Sequence, residues 1–437
     1  MSVIYKADYV LPMDGSDPHT PGEVWVESGK IIRVGQGISA TNPQAQVKNL
    51  GKCAIMPGFV NAHSHIDYTL SRNSHDALNL WQWLHRVGFR KGQTPDYELI
   101  AASARLGAAE CARSGITCLA DCSFSGAAAY AIDEIGLRGI IYKELFGQSM
   151  GADYKRQFAL VLEEIRRLQE AVSGRISIGI SPHSIYTSAK EVLSLCAKTY
   201  ADINIPLSIH LAETGAETQF ALHGTGPIAD WRRSLGYEVN PSGCTPVQIL
   251  EDAGLLRENV LLAHCVHITD AEVKKISSSG AGVAHCPRSN AYLGAGIFPF
   301  SSFRAEDART GIGTDSSATC LRIDFFEEMR FAAAIHRAKA QDAQAVSAKE
   351  ILEMATKGGA AAIGMGDVTG QLKRGLRADI IALDLGAMLP GEDIYMSILS
   401  RSPADVILCL VDGLAVDEDI DARTQELAYL MEQHTIA

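Results

Sequence analysis

An α/β chain folded as a (β/α)8 TIM barrel, with a small composite β-sandwich domain built from both chain ends, is the architecture this sequence predicts. Three observations predict it. From Pro57 onward, eight short apolar runs of strand length follow one another. Stretches of helical length separate them, among them Tyr97 to Ser114 and Tyr154 to Val172, where apolar residues recur every three or four positions. The flanking text, residues 1–56 and 367–437, reads instead as β-rich runs joined by turns. Eight βα units in one stretch argue for a closed parallel barrel whose active site lies at the carboxyl ends of its strands. Neither chain end is long enough to bury a good core alone, so the two are expected to share one sheet domain, leaving 57–366 as the catalytic barrel.

In chain order, V-I-Y-K-A-D-Y-V-L-P and G-E-V-W-V-E-S-G-K-I-I-R-V-G open the sheet segment, with a hairpin turn at Ser28-Gly29-Lys30. The barrel strands are expected near 57–67, 116–121, 136–146, 175–184, 205–213, 259–267, 280–287 and 310–316. Beyond about Met365 the chain returns to β text in G-Q-L-K-R-G-L-R-A-D-I-I-A-L-D and A-D-V-I-L-C-L-V-D-G.

Composition narrows the function classes. The 437 residues are 47% hydrophobic and 21% charged, ordinary for a globular protein. A formal net charge of −12 argues against nucleic acid or an anionic membrane as partner, since neither is attracted to it over long range. The first residues, M-S-V-I-Y-K-A-D-Y-V, have neither a signal nor a transit-peptide pattern, and no apolar run reaches spanning length. The ten cysteines lack a C-x-x-C pair, and Cys118, Cys265 and Cys286 sit in apolar runs as small core side chains. The expectation is a cytoplasmic protein, free to form a homo-oligomer, whose partner is a small molecule.

The chemistry collects at strand ends. In P-G-F-V-N-A-H-S-H-I-D, His63 and His65 stand two apart on a strand and so point to the same side, making half a metal site. His210 closes the fifth strand and Asp315 the eighth. Taken singly, His210 reads as a core histidine and Asp315 as a helix N-cap. Taken together, three imidazoles and a carboxylate at one end of a barrel suit one divalent metal with an open water position, Zn2+ first and Fe2+ or Mn2+ as alternatives. Glu213, three residues after His210, is expected on the loop past the strand end, above the metal, as a proton carrier. His264 ends the sixth strand, where it can hydrogen-bond the nucleophile. His183 and His285 also lie at strand ends and either line the pocket or bond neighbouring backbone. Trp81, Trp83 and Leu84 either cap a flat substrate or belong to the core.

The segments P-G-F-V-N-A-H-S-H, S-P-H-S-I-Y-T, H-L-A-E-T, A-H-C-V-H, H-C-P-R-S-N-A-Y-L-G-A-G and G-T-D-S occur in an order and spacing that resemble the amidohydrolase superfamily, in its mononuclear-metal deaminase and chlorohydrolase branch. The resemblance covers nearly the whole chain. It implies metal ligands at His63, His65, His210 and Asp315, a proton shuttle at Glu213, and a substrate-polarising His264. Binuclear members carry a carbamylated lysine at the end of the fourth strand; that position here reads His183, and Lys143 lies one strand earlier, so a single metal is implied. Within the branch the chain is most similar to enzymes that remove the 6-amino group of adenine nucleosides, the methylthioadenosine/S-adenosylhomocysteine and aminofutalosine types. The first of these places a glutamate downstream of the H-x-H strand to hold the ribose hydroxyls, and Phe89 to Asp96, F-R-K-G-Q-T-P-D, has none in register. The resemblance therefore implies a hydrolytic aminohydrolase acting on an adenine nucleoside or related aminopurine. Guanine, 8-oxoguanine, a pterin or an s-triazine stays open as the alternative substrate, with amine or chloride leaving.

Overall fold

The computed structural model describes residues 2–84, 96–147, 151, 153–389, 391–417 and 419–435. The chain opens with strands β1 (Ser2–Val10), β2 (Gly22–Glu27), β3 (Lys30–Gly35) and β4 (Gln46–Pro57). The β2–β3 hairpin pairs Glu27 with Lys30 across Ser28 and Gly29, both at positive φ (50° and 77°). Such a turn matches the right-handed twist of the strands it joins. β4 is not singled out in the sequence, because its first half, Q-V-K-N-L-G-K, is polar and largely exposed. It is nonetheless central in its sheet, parallel to β1 and antiparallel to the much later strand Ile380–Asp384.

From β4 the chain passes through the single residue Gly58 into the barrel. Its strands are β5 (Phe59–Ser64), β6 (Ile116–Ser123), β7 (Arg138–Leu145), β8 (Ile176–Pro182), β9 (Leu207–Leu211), β10 (Val260–His264), β11 (Gly282–His285) and β12 (Thr310–Ile312). They follow one another in sheet order, and all are nearly continuous buried runs, as parallel strands covered on both faces must be. The expected helices form at Tyr97–Arg113 and Tyr154–Ala171. Ring closure falls just beyond β12, where the Asp315 N–H donates to the His63 carbonyl at 3.0 Å. Asn61 adds a two-way stitch, donating to Thr314 Oγ1 (2.8 Å) and accepting the Thr314 N–H (3.0 Å). Gly313 is required at this seam, since a Cβ there would lie 2.9 Å from the His63 backbone nitrogen.

After the barrel, β13 (Ile380–Asp384), β14 (Val406–Val411) and β15 (Leu414–Ala415) join the N-terminal strands in one seven-stranded mixed sheet, ordered β15-β14-β13-β4-β1-β2-β3. Its two faces alternate along each strand. Ile380 and Ala382 join Val3, Tyr5, Val24, Val26 and Ile55 in the sheet's own core, whereas Ile381 and Leu383 join Ala54 and Met56 in the large cluster shared with the barrel. We propose domain limits at 1–56 with 367–437 and at 57–366. The C-terminal helix Ile420–Thr435 crosses that division, with Leu427 packed on Ala102 and Leu106 of a barrel helix.

One buried ion cluster also ties sheet to barrel. Arg138, at the start of β7, forks onto Asp379 (2.7 and 3.1 Å) and reaches Asp412 (2.6 Å), with Arg138 and Asp379 only 3% and 2% exposed. Removing the arginine strands a buried carboxylate, so Arg138→Ala is expected to lower stability by about 3–5 kcal/mol. Urea unfolding checks this, and a loss below about 1 kcal/mol, the range of an exposed pair, would contradict it.

Candidate active site and metal centre

At the carboxyl end of the barrel, three strand ends bring four side chains to one point. His63 arrives on β5 and His65 one residue past its end, with rings 4.8 Å apart, and His210 arrives at the end of β9, its ring 4.9 Å from His63 and 5.2 Å from His65. Asp315 Oδ1 lies 3.9 Å from His63 Nε2 and 3.7 Å from His65 Nε2. The tautomers follow from the partners. His65 Nδ1 faces the Cys122 carbonyl (2.9 Å) and His210 Nδ1 the His183 carbonyl (2.7 Å), and a carbonyl can only accept. Both Nδ1 atoms therefore carry the proton, which leaves lone pairs on the two Nε2 atoms that face each other at 3.1 Å. Two lone pairs at that distance repel unless a cation lies between them. His63 Nε2, buried and without a hydrogen-bond partner, points to the same requirement.

Electrostatics agree. Burial pushes the His63 and His210 imidazoles far below their usual range and lowers His65 as well, so the rings are neutral, the form that ligates. His63, His65, His210 and Asp315 could thus hold one divalent ion, with carbonyl groups fixing two of the rings from behind. Asp315 is itself fixed, accepting from Ser289 Oγ and from the Ser316 N–H, each at 2.6 Å. The backbone is strained to make this arrangement: Ala212, His264, Cys265 and Asp315 all have positive φ, between 49° and 73°.

A cavity of about 340 Å³ opens over this cluster, within the range of small-molecule sites. Glu213 and His264 line it, as do His183 and Trp83. The Glu213 carboxyl is raised above its usual range by burial, partly offset by His264. His264 Nδ1 lies 2.9 Å from Asn290 Oδ1, an acceptor, so in the neutral ring Nδ1 carries the proton and Nε2 the lone pair. His183 bonds the Thr187 hydroxyl (2.9 Å) through Nδ1 and lies between the Phe146 and His210 rings, tilted 32° and 35° to them; burial pushes it down to about 3.

His285 is not among the residues lining this cavity. Its ring turns outward from the barrel axis to His336 (Nε2 to Nε2, 2.9 Å) and stacks on Phe298, in a separate, smaller cavity. Leu84 lines the main cavity, while Trp81 packs edge-on against Tyr186. Lys143 binds the Phe124 carbonyl and Glu164 (3.2 Å), pointing to neither the cavity nor the four ligands. Of the segment Phe89 to Asp96, residues 89–95 lie outside the described residues. Sequence reasoning missed Tyr68, Glu144, Phe146, Leu235 and Tyr237 in the wall. Only Glu144 had a signal, a carboxylate one residue before the end of β7; burial raises it well above the usual range, followed by Asp67 and Asp121.

A parallel barrel with neutral imidazoles and a carboxylate converging beneath a small-molecule cavity defines a metal-dependent hydrolase. The chain belongs to the amidohydrolase family, whose pattern matches residues 54–421. It is 33% identical to a 5-methylthioadenosine/S-adenosylhomocysteine deaminase of Desulforudis audaxviator, over 98% of each chain. A 5'-deoxyadenosine deaminase of Methanosphaera stadtmanae is 29% identical over 96% of this chain and 94% of its own. Among solved structures, an adenosine deaminase from Xanthomonas campestris with bound zinc matches with a TM-score of 0.86 and 25% identity, covering 100% of this chain and 99% of that one. The chain is accordingly a hydrolase acting on C–N bonds. No described helix is long and apolar enough to cross a membrane.

Elemental analysis of protein purified without added metal should find one divalent ion per chain. His65→Ala and His210→Ala should each lose it on dialysis against a chelator. Two tightly held ions, or full retention by both variants, would contradict this ligand set.

Proposed function

We propose that this protein is a hydrolytic deaminase that replaces the 6-amino group of an adenine nucleoside with oxygen and releases ammonia. The observation that carries the reading is the pair of Nε2 lone pairs facing each other at 3.1 Å, beside Asp315, on the floor of a cavity that also holds Glu213. The substrate class is supported by the relatives, whose names specify adenine nucleosides. His63, His65, His210 and Asp315 would hold the ion, with zinc favoured by the zinc-bound structure of a relative. Bound there, a divalent ion lowers the pKa of a water molecule toward neutrality and so supplies the nucleophile.

The chain's own groups move the protons. Attack on the amine-bearing carbon pushes an electron pair onto the adjacent ring nitrogen, which is costly unless that nitrogen gains a proton. Glu213, raised by burial, takes one proton from the attacking water and delivers it there. His264 accepts a hydrogen bond from the water through Nε2, its proton being committed to Asn290. Asp315 takes the second proton and passes it to the amine, which leaves as ammonia as the C–N bond breaks. Trp83 and His183 flank the flat ring, and the apolar wall at Leu80, Leu84, Leu235 and Leu293 excludes water.

Every group in this scheme comes from the described residues of one chain. The net charge of −12 supports a small-molecule enzyme without a nucleic-acid or membrane partner. Burial of nine of the ten cysteines, Cys244 excepted, supports work in the reducing cytoplasm.

Ammonia release from adenosine, 5'-deoxyadenosine and methylthioadenosine, with guanine and an s-triazine as controls, checks the substrate class. Turnover of the controls alone would overturn it. For the mechanism, Glu213→Gln should keep its metal and lose about 10²–10⁴ in single-turnover rate. A metal-replete variant within a few-fold of wild type would remove Glu213 from the reaction.

A further inference from the structure

The turn that presents Glu213 is held from below by a carboxyl that the reaction scheme leaves unused. β9 ends at Leu211, and Ala212 follows at φ 49°, a left-handed conformation that costs a non-glycine residue roughly 1–2 kcal/mol. This residue swings position 213 out of the strand's alternation and over the cavity. Something must hold it there, since strain of this kind persists only where the surroundings over-determine it.

Glu217 does so from one side. It is 1% exposed, in the first turn of the helix Gly215–His223, and its Oε2 accepts the Glu213 N–H at 3.2 Å. The Ala212 N–H is directed at the same carboxyl. From the other side, the Ala212 carbonyl accepts the N–H groups of Val266 (3.1 Å) and His267 (2.9 Å), which follow His264 closely in the chain. The 212–213 turn is thus clamped between Glu217 and the segment that also carries His264. Glu217 Oε1 meets no donor, so the hydrogen bonds this carboxyl makes go to the turn.

We infer that Glu217 is a positioning residue for deamination: by accepting the Glu213 amide it sets the angle at which the Glu213 carboxyl enters the cavity. The inference rests on Glu213 being the proton carrier. Burial, reinforced by the nearby Glu213 carboxyl, pushes Glu217 up to about 8, so near neutral pH it is largely uncharged. A glutamine is then its nearest mimic, because the amide oxygen can accept the same N–H groups.

The test uses metal-loaded full-length protein and whichever of adenosine, 5'-deoxyadenosine and methylthioadenosine is turned over fastest. Glu217→Ala should lower kcat by about 10²-fold, the scale of a reacting group misplaced by about 1 Å, with KM within about three-fold. Metal content should be unchanged. Glu217→Gln should restore kcat to within about three-fold of wild type. In a Glu213→Gln background, Glu217→Ala should cost nothing further, because residues acting through one another are non-additive. The same fractional loss in both backgrounds, an unaffected Glu217→Ala, or a Glu217→Gln as damaged as the alanine variant would each overturn the inference. If Glu217→Ala does not fold, Glu217→Asp, which withdraws the carboxyl by one methylene, carries the same comparisons. Glu213→Gln alone tests the parent reading; wild-type turnover there would sink both, whereas a slow Glu213→Gln with additive Glu217 variants would sink only this one.

Discussion

The hydrogen bond from the Asp315 N–H to the His63 carbonyl, 3.0 Å long, is the contact on which both the barrel and its chemistry depend. It joins the eighth strand to the first and so closes the ring. The same two residues place a carboxylate and an imidazole 3.9 Å apart. Fold and site therefore share one constraint: if the seam opens, the candidate ligands separate. The local sequence serves that seam closely. Gly313 lets the backbones approach, Asn61 binds Thr314 in both directions, and Asp315 accepts positive φ to turn its carboxyl inward.

Around the seam, buried polar groups are matched to fixed partners, and the directions of those bonds determine the chemistry. Carbonyl groups of Cys122 and His183 commit the Nδ1 protons of His65 and His210, and Asn290 commits that of His264. Each of these imidazoles, when neutral, is thereby left with its lone pair toward the cavity. The carboxyl groups of Glu213, Glu217 and Glu144 are raised by the same burial that lowers the imidazoles. A buried wall thus favours neutral imidazoles and raises the proton affinity of the carboxyl groups together, and strained strand ends at Ala212, His264 and Asp315 aim them.

Much of this was legible in the amino-acid text. Eight apolar runs with intervening helices specify the barrel, because a parallel strand buried on both faces leaves an unbroken apolar signature. His63, His65, His210 and Asp315 stand out because polar residues at the ends of such runs need a reason. What stayed hidden depends on contacts between distant residues. His285 sits at a strand end like His264, yet its ring is captured by His336 from a later helix, and nothing within five residues of it signals that turn. β4 begins in polar, exposed text, and its role as the sheet's centre comes from partners before it and more than 300 residues after it. Glu144 has the signal of a carboxylate near the end of β7, but its place in the wall depends on residues from other strands and loops.

If seam and metal centre are one structure, binding the ion must stiffen the seam before it stiffens anything else. Hydrogen exchange on chelator-stripped protein, with and without one equivalent of zinc, measures this directly. The account predicts that amides of 60–64 and 312–316 slow on metal addition by a larger factor than those of β7 or of the chain-end sheet. Zinc bound stoichiometrically with exchange at the seam unchanged, or with the slowing centred on another pair of strands, would contradict it.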